Sequence, residues 1–414
     1  MAAAREGGGG LMGASVADPR TVGAPAWLTP RRVGAAGIAL GVLAFFVALP
    51  PLLVRTPVLT LALALLAVAA GAWAVRAGER RIGWGAVVAG VVGAAGGWAA
   101  TRSGVGNLER VVVWSALFAA TLRYATPLLF AAIGGLYSER SGVINIGLEG
   151  MMLMGAFFAA LGADQTGSWL LGLVIGMLAG GALALVHALF TVSLRADQIV
   201  SGVALNFLAL GITGYLFVDV YGTEGTPDDL PAVPDLHLPL ISEIPFVGDV
   251  LGDANLMVWG GLVLVAVTAV VVFRTPAGLR LRSAGENPLA AETAGLSVMW
   301  IRYRAVVLSG ILAAAGGAYL SIGFVHSFGQ NMTDGRGFLA LAALIAGRWR
   351  PGGVLAATLV FGFSSALAQR LPVFWESGAV LFQALPYLLT LIVVAGVVGR
   401  SIPPLALGRP LERG

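Results

Sequence analysis

Residues 168–194 read SWLLGLVIGMLAGGALALVHALFTVSL, 27 positions without a carboxylate or a guanidinium. A helix of that length is about 40 Å long, more than the roughly 30 Å of hydrocarbon in a bilayer. The rest of the chain is built the same way. Of 414 residues, 58% are hydrophobic and 11% are charged, where a soluble domain carries about 25% charged residues. No single water-soluble core could hide this much apolar surface. The composition excludes a soluble enzyme, a disordered protein and a coiled coil. The 59 glycines and 20 prolines follow no fixed period, which excludes collagen.

Apolar runs cut by charged or Gly/Pro-rich breaks predict twelve spans: 33–54, 57–75, 82–100, 111–136, 143–163, 168–194, 199–220, 255–273, 305–325, 337–347, 354–369 and 378–398. The fold class expected is all-α, a polytopic integral membrane protein of about twelve transmembrane helices. The run 337–347 is short and 143–163 opens on polar residues, so each either crosses or is re-entrant or broken. Residues 1–32 lack a compact apolar region followed by a small-residue cleavage site. They are expected to form a disordered tail rather than a signal peptide. Residues 399–414 form a second tail.

All 25 basic residues are arginine. With the N-terminus inside, Arg55, Arg102, Arg110, Arg336 and Arg370 fall outside, Arg123 falls within a span, and the other nineteen fall on cytoplasmic segments. Arginine-rich loops stay on the cytoplasmic side, so both termini are expected there. The same bias accounts for the net charge of +4 without a nucleic-acid partner. Residues 221–254 then face out, with seven carboxylates, five prolines and no arginine. This loop is either a docking surface for an external partner or a solvated linker.

Absences narrow the chemistry. Without cysteine there is no disulfide, thiolate ligand or cysteine nucleophile. Without lysine there is no Walker A phosphate loop and no Schiff base. His187, His237 and His326 are too scattered to suggest a zinc site. No metal or cofactor is expected, and the isolated carboxylates form no catalytic constellation for a membrane-embedded enzyme.

Residues 274–304, RTPAGLRLRSAGENPLAAETAGLSVMWIRYR, lie on the predicted cytoplasmic side. Asn287 suits an N-cap, Pro288 the first helical position and Gly295 a left-handed stop. The helix between them has about two turns and is marginal alone. It is either a knob seated in a cleft of a cytoplasmic protein or a connecting turn.

The stretch GLRLRSAGENPLAAETAGLSV (278–298) resembles the coupling-helix segment of ABC-class importer permeases, in the branch of ribose, branched-chain amino-acid, simple-sugar and nucleoside permeases. ATPLLFAAIGGLYSERSGVINIGLEGMMLMGAF (125–157) and GRGFLALAALIAGRWRPGGVLAATLVFGFSSA (335–366) resemble its N-terminal and C-terminal signatures. The likeness covers roughly 111–398 and is strongest to the nucleoside permeases, with simple-sugar permeases next. Three spans at 33–100 precede this nine-helix core and depart from the pattern. The resemblance implies a plasma-membrane permease for a nucleoside or related small polar solute. It implies a separate ABC ATPase docking at Glu286, Asn287, Pro288, Leu289, Ala290, Glu292 and Gly295. It further implies a second permease subunit, as a heterodimer, and an extracytoplasmic substrate-binding lipoprotein. The alternative, an ion-coupled secondary transporter, calls for coupling charges and often two similar halves. No internal repeat is visible, and the two-turn helix would have no task there.

Polar groups inside spans are costly and mark function by default. Arg123, Asn145, Glu149, Asn206 and Gln383 are therefore candidates for the solute path. Spacing of four would put Asn145 and Glu149 on one helical face. The competing reading makes them structural ties between broken helices. The pairs Gly134–Gly135, Gly180–Gly181 and Gly316–Gly317 suit close helix packing or hinges.

Overall fold

The computed structural model describes residues 29–47, 57–102, 113–222, 224–227, 229–373, 383–392 and 402–410. Residues 1–28 of the predicted tail 1–32, the break 103–112, and residues 378–382 and 393–398 of the last predicted span lie outside the described residues. The end of the predicted tail is not a tail: Thr29 caps a helix that begins at Pro30. The chain divides into two compact units, the first ending at Trp98 and the second running from Ala99 to Gly414.

The first unit holds α1 (Pro30–Phe46), α2 (Pro57–Arg76) and most of α3 (Arg80–Arg102). Thr29 caps α1 by accepting the N–H of Arg32 at 3.4 Å. Small residues let the three helices touch. A side chain on Gly41 would meet the backbone of Ala89 and Gly90, and one on Gly71 the carbonyl of Gly83.

The second unit contains α4 (Trp114–Arg140), α5 (Leu148–Thr166), α6 (Trp169–Ala188), α7 (Gln198–Tyr221), α8 (Leu256–Arg274), α9 (Pro276–Glu286), α10 (Pro288–Thr293), α11 (Val298–Ala318), α12 (Arg336–Ala346), α13 (Pro351–Ala368) and α14 (Leu385–Ile392). A π-helical turn extends α6 to Ser193, and another extends α11 to Val325. Among the described residues, seven helices are long and apolar enough to cross a membrane: α2, α4, α6, α7, α8, α11 and α13. The chain is thus a mostly helical, multi-pass membrane protein. Two of the other predicted spans are short helices as described. Helix α1 has 17 residues, and α12 has 11, about 16 Å.

Burial separates centre from rim. The apolar window of α11 is 83% buried and that of α7 only 17%, so α11 is a core helix and α7 presents its side chains outward. From Ala125 to Glu139, α4 is buried at every position. Glycine permits the closest approaches, as predicted for the packing pairs. A Cβ on Gly134 would lie 2.6 Å from the Ser309 carbonyl, and one on Gly316 2.6 Å from that of Pro127.

Helix α11 starts at Val298, seven residues before the predicted span at 305. Arg302, which depressed the local hydropathy, is 1% exposed and spends its guanidinium on backbone carbonyls. The acidic loop after α7 is folded onto the unit. Strands Asp235–His237 and Asp253–Asn255 pair antiparallel, Val233 N–H reaches the Ile322 carbonyl at 2.8 Å, and Phe328 N–H reaches Thr226 Oγ1 at 3.1 Å.

Candidate functional site: a broken helix, a polar cavity and a capped surface helix

The chain between α4 and α5 is not helical. Gly142 takes φ +96°, which turns the backbone out of the helix after Arg140. Inside an apolar bundle every freed backbone group needs a partner. Ser138 Oγ donates to the Val143 carbonyl at 2.8 Å, and Ile144 N–H donates to Gln198 Oε1 at 2.7 Å. His187 Nε2 donates to the Ile144 carbonyl at 3.0 Å, while its Nδ1 meets Ser201 Oγ at 3.0 Å. Asn206 closes the segment from both sides. Its Nδ2 donates to the Ile146 carbonyl at 3.0 Å, and its Oδ1 accepts from Gly150 N–H at 2.8 Å.

Asn145 sits in this break, so the expected helical face shared with Glu149 does not form. The donors and acceptors presented by α6 and α7 outcompete the local helical ladder. Asn145 is fully buried and donates to Ser309 Oγ at 2.9 Å. Its Oδ1 has no partner among the described residues.

Glu149, in the first turn of α5, reaches across to α12. Its carboxylate accepts the N–H of Gly335 at 2.9 Å and that of Gly337 at 2.6 Å. An anion at a helix N-terminus satisfies otherwise orphaned donors and the helix dipole. Gly337 is required there, because a Cβ would lie 2.5 Å from Glu149 Cα. Glu149 therefore fixes where α12 begins.

That start is the floor of a cavity of about 210 Å³. Its walls come from Tyr124 and Leu128 on α4, Asp334, Arg336 and Leu339 at the head of α12, Ser365, Ala368 and Gln369 at the end of α13, and Gln383, Pro386 and Tyr387 at α14. Arg336 Nη1 is held by the carbonyls of Met332 at 2.9 Å and Thr333 at 3.1 Å. Tyr387 Oη donates to the Asp334 carbonyl at 3.3 Å. Of the five predicted path residues, only Gln383 lines this cavity. Arg123 is exposed on α4 beside Tyr124, and Asn145, Glu149 and Asn206 tie the helix break and its neighbours together. The cavity is also lined by Asp334 and Arg336, two opposite charges, of which Arg336 was placed on the outer side by the arginine count. Their signal was the polar run TDGR abutting a short apolar run.

Helix α10 carries the surface feature. Asn287 Oδ1 accepts from Ala290 N–H at 3.0 Å, Pro288 takes the first helical position, and Gly295 follows at φ +80°. Ala291 packs inward against Ala284 and Val298, while Leu289 is 59% exposed. Behind α10, Glu286 lies 4.0 Å from Arg140 at the end of α4. Arg140 Nη2 and Nε donate to the Trp349 carbonyl at 2.7 and 3.1 Å, just beyond α12. Side chains thus connect the end of α9, next to α10, to one end of α12, whose other end floors the cavity.

Residues 117–394 match the family described as branched-chain amino acid transport system / permease component. The chain belongs to this permease family. The permease is 39% identical over 318 residues to the guanosine ABC transporter permease protein NupQ of Bacillus subtilis, covering 74% of this chain and 99% of that one. It is 39% identical to the nucleoside ABC transporter permease protein NupC of Lactococcus lactis, covering 69% and 93%. It is 36% identical to the putative glucose ABC transporter permease protein TsgC13 of Haloferax volcanii, covering 61% and 77%. Bacillus subtilis and Lactococcus lactis each also hold a second, more distant match, NupP and NupB. No solved structure matches the permease. As a member of this family it is a transport component and a multi-pass membrane protein.

Proposed function

We propose that the permease is one of two membrane subunits of an ATP-driven importer for nucleosides. It sits in the plasma membrane with about twelve spans and both termini in the cytoplasm, as the arginine distribution indicates. One observation carries the substrate class: the 39% identity to a guanosine permease along 99% of that protein's length. Paired matches in two organisms support a heterodimer. The absence of lysine supports ATP hydrolysis on a separate chain.

In this reading the ATPase docks on α10, at Glu286, Asn287, Pro288, Leu289, Ala290, Glu292 and Gly295, with exposed Leu289 as the central contact. A substrate-binding lipoprotein delivers the solute to the opposite face. The cavity is the solute's path. Asp334 accepts hydroxyl hydrogens of the ribose, the amides of Gln369 and Gln383 pair with base edges, and the rings of Tyr124 and Tyr387 offer faces for the base. Glu149 acts from behind the wall by holding α12, and Asn145 and Asn206 hold the break. ATP binding on the partner shifts the balance between outward-open and inward-open states.

Guanosine uptake into vesicles containing the permease, its ATPase and its second permease tests the reading. Uptake should require enclosed ATP, survive collapse of ion gradients, and be competed by nucleosides rather than by glucose. Uptake driven by a gradient without ATP would overturn the ATP-driven class, and competition by glucose alone would overturn the substrate.

A further inference from the structure

The permease reading leaves the segment after the last predicted span without a task, yet residues 402–410 are tied into the fold at several points. Ala406 N–H donates to the Gly285 carbonyl at 2.9 Å, and Leu405 N–H to Glu286 Oε2 at 3.2 Å. Two residues on, Gly408 N–H donates to the Gly142 carbonyl at 3.1 Å, and the Arg409 carbonyl accepts from Arg302 Nη1 at 3.1 Å. Arg302 Nε donates to the Ser141 carbonyl at 3.2 Å. One side of the segment is therefore tied to the end of α9, and the other to the turn that breaks the helix between α4 and α5.

The side chains agree with the backbone. Pro404 and Ala406 are buried, and Leu407 packs against the main core cluster. Gly408 takes φ +77°, and a Cβ there would lie 2.9 Å from Ile144 Cδ1. A side chain at 408 would be strained in its backbone and would crowd the helix break. The end of α9 also meets this turn directly, since a Cβ on Gly285 would run into the Arg140 carbonyl and Glu286 lies 4.0 Å from Arg140. The step onward into α10 is short. Helix α10 has six residues, and Asn287 between α9 and α10 is non-helical at φ −146°, ψ 88°. A helix so short is marginal by itself and depends on its neighbours to stay formed.

We infer that residues 402–410 form a latch that fastens the end of α9, just before α10, to the turn at Ser141–Gly142. Displacement of α10 then moves the broken helix and, through Glu149, the head of α12 at the cavity. Without the latch, the end of α9 shifts against the turn and much of the displacement is dissipated. The inference rests on the reading of α10 as the ATPase contact. The latch stays closed throughout the cycle.

The test uses the assembled importer. Gly408→Val and Ala406→Pro, which removes the N–H to Gly285, should keep the ATPase bound and hydrolysing while uptake per ATP falls about tenfold, a size in keeping with the loss of one or two buried hydrogen bonds. Unchanged uptake per ATP overturns the latch. Loss of uptake in proportion to lost ATPase binding also overturns it, by making the segment a docking element. Leu289→Asp checks the underlying reading separately, because there ATPase binding itself should be lost; retained binding overturns that reading and the latch's coupling role with it, whereas unchanged uptake per ATP in the latch variants overturns the latch alone. Should both latch variants fail to insert, hydrogen exchange on the unmodified importer decides. Amides 405, 406 and 408 should be as protected as those of α9 with and without ATP, and fast exchange in either state overturns the latch.

Discussion

Every signal that starts and stops the surface helix α10 lies within the ten residues from Glu286 to Gly295. The cavity takes its walls from four segments spread between Tyr124 and Tyr387. The first is a local code: a capping amide, a proline and a left-handed glycine, each acting within one or two turns. The second needs long-range ties, among them Glu149, 186 residues before Gly335, which binds the head of α12. The contrast teaches where each part is vulnerable. Damage to α10 should be graded and local, whereas damage to the joint at Glu149 should displace a whole wall.

Gly337→Val should have the largest effect. Its added carbon cannot fit against the Glu149 backbone without shifting α12, an overpacking cost of about 1–3 kcal/mol or more. Solute uptake should vanish while the ATPase still co-purifies, and near-normal uptake would break the link between α12 and the path. Glu149→Gln comes next. A neutral amide offers one acceptor where the carboxylate offers two, so uptake should drop by roughly tenfold with the permease still inserted. Loss of the inserted protein instead would assign Glu149 to folding alone. Asn287→Ala should be mildest. It removes a cap worth about 1 kcal/mol, and uptake should fall severalfold with cavity variants unaffected. A total loss of uptake would mean that α10 is not an independent local unit.

The spans were readable where apolar runs are long and free of charge. The predictions 168–194, 199–220 and 255–273 coincide closely with Trp169–Ser193, Gln198–Tyr221 and Leu256–Arg274. They were less readable where the bundle supplies partners. Hydropathy penalised Arg302, yet α11 contains it because two distant carbonyls receive its guanidinium. Periodicity placed Asn145 in a helix, yet Gln198, His187 and Asn206 satisfy the unwound backbone better than a ladder would. Of the five in-span polar candidates, Gln383 alone lines the cavity. Asp334 and Arg336 looked like loop charges, because nothing adjacent in the chain shows that α12 ends at a cavity.

Sequence by itself determined the solvent and the local code of this protein. An apolar run of 27 residues can only be hidden in lipid or among other helices, the lack of lysine removes the phosphate loop, and caps act over one turn. Tertiary structure alone decided which buried polar groups meet. Inside the bundle water cannot satisfy a freed carbonyl or carboxylate, so each takes whichever donor the packing brings within about 3 Å. That donor is often more than a hundred residues away.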